Sequence, residues 1–262
     1  MIHARSAVLF LAVLGWALPA TAQTTPPTQE PPSTTTWEAS LGADYYIGDY
    51  NAGSDTTVVS VPFLLRVQLD RLRLEATVPY LYVEGPGTFA GGIVVPGHGG
   101  TTSRSGLGDV NLGAAFLLNR GGQSAPSFEI AAIVKVPTAS SGLGTEEFDY
   151  TAQLNVYQPL SMQLMLFGSA GYQILGDYST FDLENGIVAS GGLNYMPSQT
   201  VSLGFGVNYR QQYYQGLGAY VSVSPYLQWS LGGKWKITGY GLVGLTEASP
   251  RFGAGLRLGF SG

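Results

Sequence analysis

Residues 251–260 read Arg-Phe-Gly-Ala-Gly-Leu-Arg-Leu-Gly-Phe, and their alternation decides the fold. In a strand, successive side chains point to opposite faces. Phe252, Ala254, Leu256, Leu258 and Phe260 therefore share one face, and Arg251, Gly253, Gly255, Arg257 and Gly259 share the other. The same division recurs upstream. In 200–211, Val201, Leu203, Phe205, Val207 and Tyr209 oppose Ser202, Gly204, Gly206, Asn208 and Arg210. In 147–158, Phe148, Tyr150, Ala152, Leu154 and Val156 oppose Asp149, Thr151, Gln153, Asn155 and Tyr157.

From Trp37 onward the alternation divides into twelve segments: 36–47, 56–70, 71–83, 106–118, 126–137, 147–158, 163–174, 183–195, 200–211, 218–230, 234–245 and 251–260. Most run well beyond the usual strand length of about 5 to 6 residues, and match the roughly 9 to 11 of a tilted membrane-crossing strand. Their polar faces carry Gly, Ser, Asn and Gln rather than the Lys and Glu of a water-exposed sheet. A soluble β-sandwich also alternates, but with shorter strands. The connections alternate in length as well. Asp70-Arg71, 119–125, 159–162, 196–199 and 231–233 are short, while 48–55, 84–105, 138–146, 175–182, 212–217 and 246–250 are mostly longer. The predicted fold is an all-β, antiparallel up-and-down transmembrane barrel of twelve strands. It closes on itself because lipid leaves no water to satisfy an open strand edge.

The low charge content agrees with this. Charged residues make up 11% of the chain, against about a quarter in ordinary soluble domains. Aromatic residues gather near segment ends, at Trp37, Tyr45, Tyr80, Tyr82, Phe128, Tyr172, Tyr195, Tyr209, Trp229 and Trp235, where amphipathic rings meet the lipid headgroups. Ahead of the barrel, residues 7–18 are apolar and Ala20-Thr21-Ala22 forms a small-x-small site, which predicts a signal peptide over 1–22. That run is shorter than the roughly 20 apolar residues a spanning helix needs. Residues 23–36 have the Pro/Thr/Gln composition of a disordered leader, and 37–262 form the barrel domain. The expected location is the outer membrane of a Gram-negative-type cell, with both termini in the periplasm.

The stretch Ser105-Gly106-Leu107-Gly108-Asp109-Val110-Asn111-Leu112-Gly113 resembles the signature of the MetA-pathway of phenol degradation family of outer-membrane transporters. The run KVPTASSGLGTEEFDYTAQL at 135–154 and the strand LFGSAGYQILGD at 166–177 are similar to that family's pattern. The resemblance implies an outer-membrane barrel carrying small compounds, apolar or aromatic ones among them. It carries over no binding residue.

By strand parity the ionisable residues facing the lumen are Glu38, Asp44, Arg66, Arg73, Glu75, Asp109, Glu129, Lys135, Asp149, Glu184, Arg210, Lys236 and Arg257. Seven acids against six bases predict no strong preference for either sign of ion. If Asp70-Arg71 is a two-residue hairpin turn, Arg66 stands across from Glu75 and Gln68 across from Arg73. These charges serve either solute passage or the neutralisation of a narrow interior, since about eight strands leave a filled core and about 16 to 18 an open channel. Ile93, Val94 and Val95, in the longest loop, form an apolar patch that either folds inward as a constriction or lies at the rim and gates entry of apolar solutes, the alternative being a flexible external loop.

The favoured function is a passive pore. The alternatives are a structural barrel that carries nothing and a lipid hydrolase using His98, the one histidine left after signal cleavage. Catalysis is not expected, because His98 lies in a Gly-rich loop and no GxSxG or metal-ligand spacing occurs. No cofactor or metal is expected, and the absence of cysteine rules out thiolate sites and a lipid-modified N-terminal Cys. The expected partners are outer-membrane lipids, a small-molecule solute and, through a C-terminal aromatic at Phe260, the barrel assembly machinery. With a formal charge of -5 and no basic run, nucleic acid is not among them.

Overall fold

A computed structural model describes residues 35–90, 93–95, 102–122, 124–176 and 182–262. The signal segment, most of the leader and His98 lie outside the described residues. The wall begins with β1 (Thr36–Gly48), β2 (Thr56–Leu69) and β3 (Leu72–Gly85). A small hairpin, β4 (Thr88–Ala90) and β5 (Ile93–Val95), follows as a separate sheet. The wall resumes with β6 (Thr102–Leu107), β7 (Val110–Asn119), β8 (Ser127–Val136), β9 (Asp149–Pro159), β10 (Leu164–Ile174) and β11 (Gly186–Tyr195). It ends with β12 (Val201–Arg210), β13 (Tyr220–Ser230), β14 (Trp235–Gly244) and β15 (Phe252–Ser261).

Every neighbouring pair is antiparallel, and β1 pairs with both β2 and β15, which closes the ring. β6 and β7 both pair with β3, along its upper and lower parts, so they form one wall strand broken at Gly108 and Asp109. The wall therefore has twelve strands. The break is a departure from the uninterrupted segment expected at 106–118.

Two consecutive residues, Asp70 and Arg71, connect β2 to β3, with Asp70 at φ 50°. Asp tolerates this left-handed conformation better than most residues. The turn fixes the register, placing Arg66 opposite Glu75 and Gln68 opposite Arg73. The other short connections lie at the same end of the barrel as the termini, where the Trp37 amide donates to the Gly262 carbonyl at 3.2 Å.

Burial is inverted relative to a soluble protein. Leu41, Phe63, Phe116, Ile130, Leu203, Phe205, Leu256 and Leu258 are exposed, whereas Glu38, Asp44, Arg66, Glu75, Glu129, Lys135, Asp149, Asn155 and Arg257 are buried. A sheet with an apolar outside and a polar inside is stable only where lipid covers the outside. The exposed aromatics form two belts, one with Trp37, Tyr195, Trp229 and Trp235 at the short-turn end, the other with Tyr45, Tyr82, Tyr172 and Tyr209 towards the long loops.

Candidate functional site: the barrel interior

Charges of alternating sign run around the inner wall near the short-turn end. Lys236 Nζ on β14 lies 2.6 Å from Glu38 Oε2 on β1. Glu38 faces Arg66 on β2 in register, and Arg66 Nε donates to Glu75 Oε1 on β3 at 2.6 Å. Arg73 Nε reaches the same Glu75 oxygen at 2.8 Å. Arg73 also crosses β7, where the inward residue is the small Ala115, and donates twice to Glu129 on β8, both bonds at 2.8 Å. Asn155 on β9 completes the row by donating to Glu129 Oε1 at 2.7 Å. Each buried charge here has an opposite charge beside it, which offsets much of its lost hydration.

At mid-height, Tyr240 donates to Asp44 Oδ1 at 2.7 Å, and the Tyr46 and Tyr240 hydroxyls lie 2.5 Å apart. Arg257 approaches Asp44 at 3.6 Å. Glycine on the inner face of β15 makes this possible, because a Cβ at Gly255 would lie 2.4 Å from both Asp44 Oδ1 and Tyr240 Cε1. Gly255→Val should therefore destabilise the barrel by about 1–3 kcal/mol, the usual cost of overpacking. A lowered urea midpoint checks it, and an unchanged midpoint would mean that this interior is loose.

Nearer the long loops, Lys135 pairs with Asp149 at 2.8 Å and Asp109 at 3.6 Å, and its Nζ also donates to Thr145. Asp109 Oδ1 accepts the amides of Thr138 and Ala139 at 3.1 and 3.0 Å. The Ser-Gly-Leu-Gly-Asp stretch thus anchors the loop that follows β8. At Gly106 a Cβ would meet Ser140 Oγ at 2.5 Å, and Ser140 Oγ accepts the Leu107 amide at 3.1 Å.

The long-loop end is closed by apolar and aromatic side chains folded inward. Val94, Leu143 and Tyr50 are buried with Leu81, Val83 and Leu242, and Leu175, Tyr213, Leu217 and Ala248 form an adjoining cluster. Tyr213 ties three loops together, its hydroxyl lying 3.2 Å from the Val94 carbonyl and 3.3 Å from that of Ala248. Burial pushes the Tyr213 phenol above its usual range, so it remains a donor throughout neutral pH. Arg210 lies over the Tyr213 ring at 4.6 Å.

The structure buries Arg66, Arg73, Glu75, Asp109, Glu129, Lys135, Asp149, Arg210 and Arg257, and holds Lys236 half-buried. Glu184 departs from the expectation. It precedes β11, is exposed, and its amide donates to the Tyr213 carbonyl at 2.9 Å. The regular strand starts at Gly186, so strand parity does not set the face of Glu184. Of the apolar loop patch, Val94 is buried under the closed end, with Ile93 and Val95 beside it in β5. Sequence parity did not reach Leu143, Tyr213 or Leu217, which lie in loops without periodicity.

The fold is shared with outer-membrane proteins. An outer membrane channel from Pseudomonas putida F1 superposes with a TM-score of 0.66 at 17% identity, over 89% of this chain and 97% of that one. The NanC porin gives 0.55 at 10% identity, over 84% and 97%. The KdgM porin in complex with disordered oligogalacturonate gives 0.51 at 11% identity, over 85% and 97%. At such identities the likeness concerns the fold alone. No curated protein sequence matches the chain. A family model does match, and it spans residues 19–261, nearly the whole chain, including the Asp109 turn and both quoted runs. The chain thus belongs to the family described as "Putative MetA-pathway of phenol degradation".

Proposed function

We propose that this protein is a passive outer-membrane pore for small solutes, with apolar and aromatic compounds the favoured cargo. It is exported by its signal peptide, with the short turns and termini in the periplasm and the long loops outside. The observation that carries the reading is the make-up of the closed end. Val94, Leu143, Leu217 and the Tyr50 and Tyr213 rings are packed together in two clusters there, so a solute arriving from outside must part apolar and aromatic side chains, while the charges deeper in are engaged with one another. An apolar body gains from such a surface, and an ion does not.

Tyr213→Phe tests this. Losing the hydroxyl that bonds Val94 and Ala248 removes about 1 kcal/mol from the closed arrangement, which is about a fivefold rise in open fraction. Planar-bilayer recordings of refolded mature chain should show discrete steps whose open time lengthens in the variant. A second reading, a structural barrel, is favoured by the dense pairing of interior charges, and silence from both proteins would establish it. Nothing among the described residues favours catalysis through His98. Phospholipid hydrolysis that disappears in His98→Ala would bring that reading back.

A further inference from the structure

The interior is filled unevenly. On β13, β14, β15, β1 and β2 the inward side chains at mid-height are packed away, among them Asp44, Ser60, Leu64, Ser224, Tyr226 and Tyr240. On the facing wall, Asn111, Ile133, Gln153, Ser169, Ser190 and Asn208 point inward by strand parity yet remain only half-buried. In a closed barrel, surface left on an inward residue faces interior space rather than lipid. These positions adjoin one another across the wall, since Ser169 pairs with Ser190 and Ser190 with Asn208.

The space is bounded by charge and lined by none. On β8, Ile133 lies between Glu129 and Lys135, both buried in ion pairs. The lining offers hydroxyls and amides instead. The Ser169 and Ser190 hydroxyls lie 2.7 Å apart, and Gln153 donates to Asn155 Oδ1 at 2.8 Å. Two further groups on the same inward faces, Gln173 Oε1 on β10 and Asn194 Nδ2 on β11, are buried without a hydrogen-bond partner among the described residues.

We infer that this wall forms a solute chamber selective for small uncharged molecules that carry a hydroxyl or amide, and that Ser169, Ser190, Gln153 and Asn208 set that selectivity. The inference rests on the pore reading and deepens it. A serine hydroxyl both donates and accepts, so it suits a neutral hydroxyl. A carboxylate entering the chamber loses hydration and meets no free counter-charge.

The mature chain has no cysteine, which makes single-thiol probes clean. Refolded Ser190→Cys and Ser169→Cys should react with N-ethylmaleimide at least about tenfold faster than Ser40→Cys, because a packed thiol reacts only in transiently opened molecules. Ser40 is 3% exposed on the inner face of β1 and serves as the packed control. Phenol at about ten times its dissociation constant should slow labelling of Ser190→Cys about tenfold by mass action, while benzoate leaves it unchanged. Equal reactivity at the three sites, or protection by benzoate as good as that by phenol, overturns the chamber. A conducting wild-type protein with unreactive thiols at 169 and 190 sinks the chamber and leaves the pore standing. A silent wild type sinks the pore reading itself.

Discussion

Replacing Glu129 by leucine should cost the barrel about 3–5 kcal/mol, the penalty for breaking a buried ion pair from one side. Glu129 is 5% exposed and accepts two bonds from Arg73 and one from Asn155. Without it, Arg73 keeps Glu75 but loses two charge-assisted bonds at a buried position. The double variant Arg73→Met with Glu129→Leu should recover most of the loss, because an apolar pair of similar size fills the same space with no charge left stranded. Urea unfolding of refolded protein in lipid vesicles measures both. A single-variant loss below about 1 kcal/mol would be the value of a solvated surface pair, and would mean that this part of the interior is wet.

Leu256→Arg is the second large effect. Leu256 is 58% exposed in the middle of β15, on the face away from Arg257. At the midplane of a lipid-facing strand an arginine costs about 2–4 kcal/mol. The same change at an exposed leucine of a water-soluble sheet stays within about 0.5 kcal/mol. Phe205→Arg on β12 should behave alike, and Trp235→Arg near the short-turn end should cost about 0–1 kcal/mol, since the penalty falls towards the headgroups. A flat response across the three positions would remove lipid from the account.

Much of this was legible in the residues themselves. Alternation is a local property, so it located all twelve wall strands and assigned Leu256 and Arg257 to opposite faces. The two-residue turn at Asp70-Arg71 then set the Arg66 and Glu75 register by geometry alone. What stayed hidden depends on contacts distant in sequence. Leu143 and Tyr213 have no periodic neighbours, and their burial follows from loops folding across the barrel mouth. The strand break at Gly108 and Asp109 arises because Asp109 is engaged by the amides of Thr138 and Ala139. Parity was applied to the ionisable residues and passed over Ser169 and Ser190, whose half-burial depends on how the side chains around them pack. Charged residues draw attention in a sequence, yet here they pair with one another, and the open wall is uncharged.

The tryptophans give the most direct test of the inverted barrel. In a refolded chain that begins at Gln23 the tryptophans are Trp37, Trp229 and Trp235, all exposed near the short-turn end. In vesicles of lipids brominated at graded depths, their fluorescence should be quenched most by bromine nearest the headgroups, with little quenching by aqueous iodide. Strong iodide quenching with no response to brominated lipid would mean that the exposed apolar face meets water, and would contradict the fold's placement in a membrane.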